Sequence, residues 1–230
     1  MKREFSGIAA LFIICIGIVC LNACTKDDNS PPVITVNGES PVYVSLNGTY
    51  SPHTDDKGAT AHDNKDIDAV AVTNDISPTN PNVNKIGTYT ITYKATDKAG
   101  NTSTATRIVI VRNDAYFLAN IYNVHDTSVL NGGTLEYGQN IYVDSTKNRR
   151  IHFSQFANYD NNTNVYATIN VAGDSIFVPA QTVTVGTVLV ESHKFSGSGV
   201  ITGQNFKLNY TDQNLTNPTT DSVEASYNKY

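Results

Sequence analysis

Beyond residue 32, apolar and polar positions alternate in short runs rich in Val, Ile, Thr and Tyr. The clearest run, GTYTITYKATDKAGNTSTATRIVIV over residues 87–111, sends Tyr89, Ile91 and Tyr93 to one side. Thr88, Thr90, Thr92 and Lys94 go to the other, as successive side chains on a strand must. Asp97-Lys98-Ala99-Gly100-Asn101 reads as the turn, with Gly100 free to take positive φ. The returning strand ends in IVIV, apolar enough to predict cover on both faces. Residues 33–36 and 42–44, each followed by Asn-Gly, and residues 69–73 predict further strands.

The pattern continues to the C-terminus. Strands are expected at 116–124, 139–143, 150–156, 164–171, 175–178, 182–185, 188–195, 199–202, 205–211 and 223–227. Tight turns separate them, among them Asn131-Gly132-Gly133, Gly173-Asp174 and Gly203-Gln204. Strands joined by such turns predict an antiparallel meander that closes into a barrel or flattens into a sandwich. Gly197 and Gly199 stand on alternate positions, which suits a sharply bent strand. No segment after the N-terminal apolar run has helical periodicity over three turns. The chain is expected to be all-β, with domains at 33–112 and 115–230 and a boundary at Asn113-Asp114.

The exception is residues 8–21, IAALFIICIGIVCL, uncharged and preceded by Lys2 and Arg3. That run falls short of the roughly 20 residues a spanning helix needs and has the anatomy of an export signal. Leu21-Asn22-Ala23-Cys24 resembles the lipobox of bacterial lipoproteins, with Asn22 departing from the usual small or aliphatic residue. The resemblance implies cleavage between Ala23 and Cys24, loss of residues 1–23 and acyl lipid on Cys24. Cys15 and Cys20 leave with the signal, so Cys24 has no disulfide partner in its own chain. Residues 24–32 then read as a polar tether. Lys26, Asp27 and Asp28 resemble the lysine-plus-acids signal that sends Bacteroidetes lipoproteins to the outer face of the outer membrane; a solvated linker is the plainer reading. The expected location is the outer membrane, lipid-anchored and facing outward, with the lipid bilayer as first partner.

Residues 32–111 resemble the bacterial surface Ig-like family. The matching blocks are residues 32–38, the stretch Gly58-Ala59-Thr60-Ala61-His62-Asp63-Asn64, and residues 87–101. The resemblance implies an Ig-like β-sandwich of about seven strands and no activity of its own. It also offers Tyr89 as a hydroxyl-anchored corner tyrosine, with core packing as the alternative. The second half, through LANIYNV, FVPAQT and FSGSGVITGQNFKLNYT, resembles lipocalin-like barrels of Bacteroidetes lipoproteins. That implies an interior able to hold a small apolar ligand, unless its own side chains fill it.

A net charge of −5 argues against nucleic acid as a partner. The five histidines are scattered, without a zinc-ligating pair, and Gly197-Ser198-Gly199 lacks the spacing of a nucleophile elbow. No catalytic residue is assigned and no cofactor is expected beyond the lipid. Among the loop acids Asp55, Asp56, Asp63, Asp66 and Asp68, calcium ligation is considered for Asp63, Asn64, Asp66 and Asp68. The turn glycine such a loop needs is missing. Ser145, Ser175 and Ser222, each after an aspartate, resemble O-glycosylation sites of Bacteroidetes secreted proteins. Tyr137, Tyr142, Tyr159 and Tyr166 are candidate sugar-stacking rings, with cross-strand packing as the alternative. Three functions stay open: a surface lipoprotein whose Ig-like spacer presents a barrel to polysaccharide or other surface proteins, a carrier of a small hydrophobic molecule, and an enzyme.

Overall fold

The computed structural model describes residues 28–52, 54–65, 70–159 and 164–230. Signal, lipobox and export residues up to Asp27, including Ala23, Cys24 and Lys26, lie outside them. The chain is all-β. Six strands come first: β1 (Val33–Val36), β2 (Val42–Ser45), β3 (Ala59–His62), β4 (Val72–Asn74), β5 (Gly87–Thr96) and β6 (Thr102–Arg112). They form a two-stranded sheet, β1-β3, and a four-stranded sheet, β2-β6-β5-β4, in which β2 runs parallel to β6. Among the described residues, six strands therefore stand where about seven were expected.

Alternation on β5 and β6 works as read: Ile91, Tyr93, Val109 and Val111 are buried. Ile108 and Ile110 are only half-buried, so the IVIV run is covered fully on one face, not both. The Tyr89 hydroxyl donates to the Lys85 carbonyl at 2.9 Å, so the ring anchors the entry to β5. Tyr122 repeats the device on the Leu118 carbonyl at 3.1 Å, and burial pushes its hydroxyl up to about 12.

Arg107 is buried on β6 and pairs with Asp56 at 2.7 Å, their side chains 1% and 2% exposed. Its guanidinium also donates to the Asn37 carbonyl. Asp56 accepts from the Gly58 N–H at 2.7 Å and from the Tyr50 hydroxyl at 3.2 Å. These bonds join the two glycine turns after β1 and before β3 to β6. Asp55 is likewise committed, accepting from the Ser51 N–H at 2.8 Å.

After a 3-10 turn at Asp114–Leu118, eight strands follow: β7 (Asn120–Ser128), β8 (Thr134–Val143), β9 (Arg150–Phe153), β10 (Tyr166–Ile169), β11 (Ser175–Val185), β12 (Glu191–Thr202), β13 (Asn205–Asn214) and β14 (Thr219–Lys229). Each pairs antiparallel with its neighbour in sequence, and β14 returns to β7, closing an up-and-down barrel. Two corrections concern continuity. The expected strand at 116–124 begins as the 3-10 turn, whose cap is Asn113. Strands expected as separate at 175–178 and 182–185 are one, β11, with a register shift between Val178 and Gln181 around Pro179. Strands expected at 188–195 and 199–202 likewise merge in β12, where a Cβ on Gly197 would lie 2.5 Å from the Asn209 carbonyl. Glycine there permits a crease rather than a break.

By contacts the chain divides into two compact units. Among the described residues, one comprises 28–35, Ala59–Thr73 and Tyr93–Ala105; the other comprises Val36–Gly58, Asn74–Thr92 and Thr106–Tyr230. Strands β5 and β6 run through both. In the first, the tether's described end is held: the Asn101 side-chain amide donates to the Asp28 carbonyl at 2.9 Å. Asp28 is therefore tied down rather than part of a free linker.

Removing one member of the buried pair leaves the other charged in an apolar setting, a loss of about 3–5 kcal/mol. Asp56→Ala should destabilise the β1–β6 region by that amount, read in urea unfolding followed by tyrosine fluorescence. An effect under about 1 kcal/mol, the level of an exposed pair, would contradict the role given to Arg107.

Candidate functional site

The barrel's interior is filled by its own rings. Inward positions of alternating strands bring Phe206 onto Tyr227 at 4.2 Å, Tyr227 to Phe153 at 5.8 Å, and Phe153 to Phe156 at 5.0 Å. Phe156 then meets Phe195 at 5.1 Å and Tyr210 at 4.8 Å. Phe156 comes from no strand. It sits in a 3-10 turn after β9 in which Ala157 and Asn158 take φ of 55° and 59°. The filled alternative for the barrel is the one observed.

The four candidate tyrosines split by strand parity. Tyr137 and Tyr159 turn inward: Tyr137 donates to Asp126 at 3.0 Å, and Tyr159 donates to Asp212 at 2.9 Å. Tyr142 and Tyr166 face outward on β8 and β10, with His152 of β9 between them in register. The Tyr142 and His152 rings are 5.3 Å apart and 12° from parallel, and Tyr166 lies 6.2 Å beyond. Arg150 caps Tyr166 at 4.2 Å. This ladder leaves Tyr142 45% exposed.

Its edge is fixed by the turn between β8 and β9. Asp144 accepts from His152 Nε2 at 3.0 Å, from the Thr146 N–H at 2.7 Å and from the Lys147 N–H at 2.9 Å. Burial opposes its charge, but the His152 and Thr146 hydrogen bonds outweigh that and hold its carboxyl well below the usual range. Beneath lies Asn113, buried, whose amide donates to the carbonyls of Asp144, Lys147 and Arg150. Its oxygen accepts from the Ala115 and Arg149 N–H groups. Within the same unit, Ser45 donates to Asp114 at 2.7 Å and Asn47 to the Thr146 carbonyl at 2.8 Å.

A second arrangement occupies the barrel end carrying the turns after β7, β9, β11 and β13. A cavity of about 310 Å³ there is lined by Asp126, Asp212, Asp221, Tyr159 and Tyr210 among others. Asp126 is 6% exposed. One of its oxygens accepts from both Tyr137 and Tyr210; the other makes no hydrogen bond among the described residues. His193 holds Asp212 at Nδ1 and Glu191 at Nε2, so both ring nitrogens are committed. Sequence reading missed this cluster, because its acids lie on different strands and only closure brings them together.

Of the calcium candidates, Asp66 and Asp68 lie outside the described residues, and Asp63 closes a turn on the Lys65 N–H at 2.8 Å. Asp63 instead converges with Asp28 and Asp97, one oxygen of each within 4.8 Å of the others. Three oxygens are about half a calcium shell. Asp97 already accepts from the Asn101 backbone and side chain, and Lys65 Nζ stands 3.9 Å from Asp28. Asn64, the remaining candidate, is exposed and outside that trio. Ser145, Ser175 and Ser222 are all exposed, with Ser175 donating to Asp174 at 2.9 Å.

Residues 34–111 match the family model of the bacterial surface protein Ig-like domain. This Ig-like domain comprises β1–β6. Among solved structures, the chain is similar to the crystal structure of a lipoprotein from Bacteroides thetaiotaomicron. Identity is 15% over 85% of this chain and 99% of that one, at a TM-score of 0.33. So loose a superposition transfers nothing to this chain. No curated protein matches it.

Burial raises the Asp126 carboxyl, against the lowering effect of Tyr210, Tyr137 and His125. A carboxyl raised on folding costs stability once it ionises. That cost grows as pH climbs from the unfolded value, about 3.9, through the folded one. Asp126→Asn keeps an acceptor for the two phenols and removes the charge. The variant should melt above the wild type at pH 8 and level with it at pH 4, in thermal scans at both. A variant that melts lower at pH 8 would mean the carboxylate is stabilising instead.

Proposed function

We propose that this chain is a lipid-anchored, non-catalytic protein of the bacterial outer membrane, facing outward. In this reading the Ig-like domain is a spacer and the barrel binds glycan through the Tyr142–His152–Tyr166 ladder. The observation that carries it is the ladder: an exposed Tyr142 with Tyr166 in register on the same outer face, bordered by Arg150 and Asp144. Sugar rings offer an apolar face to an aromatic ring and hydroxyls at the edge to charged side chains. A packed interior favours this use over carriage of an apolar molecule, and the match to a bacterial surface domain supports the location.

Three tests address the proposal. A glycan array with the detergent-solubilised full chain should give a small set of related polysaccharides. Tyr142→Ala and Tyr166→Ala should each weaken them about tenfold or more, the scale of an aromatic anchor. Binding that survives both substitutions would move the site off the ladder. For the anchor, mass spectrometry of the membrane-extracted protein should find acyl chains on Cys24 and no residues 1–23, whereas Cys24→Ser should keep residues 1–23 and carry no acyl chains. Unaltered cleavage in Cys24→Ser, or a wild type without acyl mass, would remove the lipid from the account. Mass spectrometry of the native protein should find hexose additions on peptides holding Ser145, Ser175 or Ser222.

A further inference from the structure

The cavity at the end of the barrel has a chemistry the ladder does not explain. Its lining includes three aspartates and, among the described residues, no lysine or arginine. Two of the three are answered. Asp212 faces His193 and accepts from the Tyr159 hydroxyl. Asp221 accepts from the Ser128 hydroxyl and from the Leu130 N–H at 2.9 Å.

Asp126 is different. It is more than nine-tenths buried, receives only two uncharged phenols on one oxygen, and has its second oxygen without a partner among the described residues. Neighbouring His125 turns away to Glu136 on the outer wall at 3.2 Å. Burying an unpaired carboxylate works against folding. Beside the aspartates and the polar Ser128, Asn131 and Thr134, the lining also carries apolar surface from Leu135, Val223 and the rings of Tyr159 and Tyr210.

We propose that this mouth is a binding site for a small organic cation, a primary ammonium ion on an apolar body, with Asp126 as the counter-ion. The ammonium supplies the charge and donors that Asp126 lacks. The apolar body lies against Leu135, Val223 and the tyrosine rings. Anions are refused by the three carboxylates, and neutral molecules gain no ion pair. The site is separate from the ladder and does not rest on the glycan reading.

Benzylammonium is a fitting probe, with benzyl alcohol and benzoate as neutral and anionic analogues of the same shape. Calorimetric titration of the full chain in non-ionic micelles should give saturable 1:1 binding of benzylammonium. The alcohol and benzoate should bind at least about tenfold more weakly, the scale on which a desolvated charge pair discriminates. Asp126→Asn should lose the same factor. Equal binding of alcohol and ammonium, no saturable heat, or an unaffected Asp126→Asn protein would each overturn the assignment. Should that variant not fold, amide shifts of the wild-type protein decide. Changes gathered at Asp126, Leu135 and Asp221 uphold the site, and changes centred elsewhere refute it.

Discussion

Closure of the eight-stranded barrel is the constraint on which the rest depends. A barrel of that number has an interior just wide enough for side chains, and here the inward positions carry rings. Closure is hardest at the seam. Strand β10 pairs with β11 through only two residue pairs and with β9 through three. Pro179, in the register shift of β11, has no N–H to give. Gln181 repairs the ladder: its amide oxygen accepts from the Tyr166 N–H at 3.1 Å and its nitrogen donates to the Tyr166 carbonyl at 2.8 Å. A side chain thus stands in for missing backbone and holds Tyr166, a member of the outer aromatic ladder, at its place in the wall.

The two halves of the chain treat buried charge in opposite ways. In the Ig-like domain, Arg107 and Asp56 meet each other, and carbonyls, an N–H group and a phenol add to the pair, so each charge is answered by the other. Such a pair is weak evidence of extra stability over an apolar core, but it fixes which turns meet which strand. In the barrel, Asp126 has phenols and, among the described residues, no hydrogen-bonded cation. The first arrangement reads as architecture. The second is a cost retained at a cavity, which is the pattern of residues kept for binding rather than for folding.

Strand alternation made the β content, the β5–β6 hairpin and the meander legible, because a period of two needs no tertiary knowledge. The breaks were less so. Strands were expected to stop at residues 178 and 195, yet a bulge at Pro179 and a crease at Gly197 and Gly199, which do suit a bent strand, let β11 and β12 run on. Their meaning is set by the curvature of a closed sheet, which local sequence does not carry. The same holds for the tyrosines. All four candidates lie in similar polar surroundings along the chain, and only register on β8 and β10 and the path after β9 send Tyr142 and Tyr166 outward. Asp56 looked like a loop acid because its partner, Arg107, lies 51 positions away.

The turn after β9 shows how a local strain is repaid by a distant gain. Ala157 and Asn158 both hold left-handed backbone, a cost on the order of 1 kcal/mol or more each for residues with a Cβ. In return Phe156 enters the barrel and touches Phe153, Phe195 and Tyr210. Burying a phenylalanine contributes about 1.5–3 kcal/mol, and ring contacts of this kind add about 0.5–1.5 kcal/mol. The balance favours the plug, and it has a geometric consequence. With Phe156 sealing the column, Ala157 and Tyr159 are left at the rim, where they line the cavity above Asp126. A residue that completes the core therefore also fixes the segment that borders the mouth, through Ala157 and Tyr159, and the shape of that opening is inherited from packing.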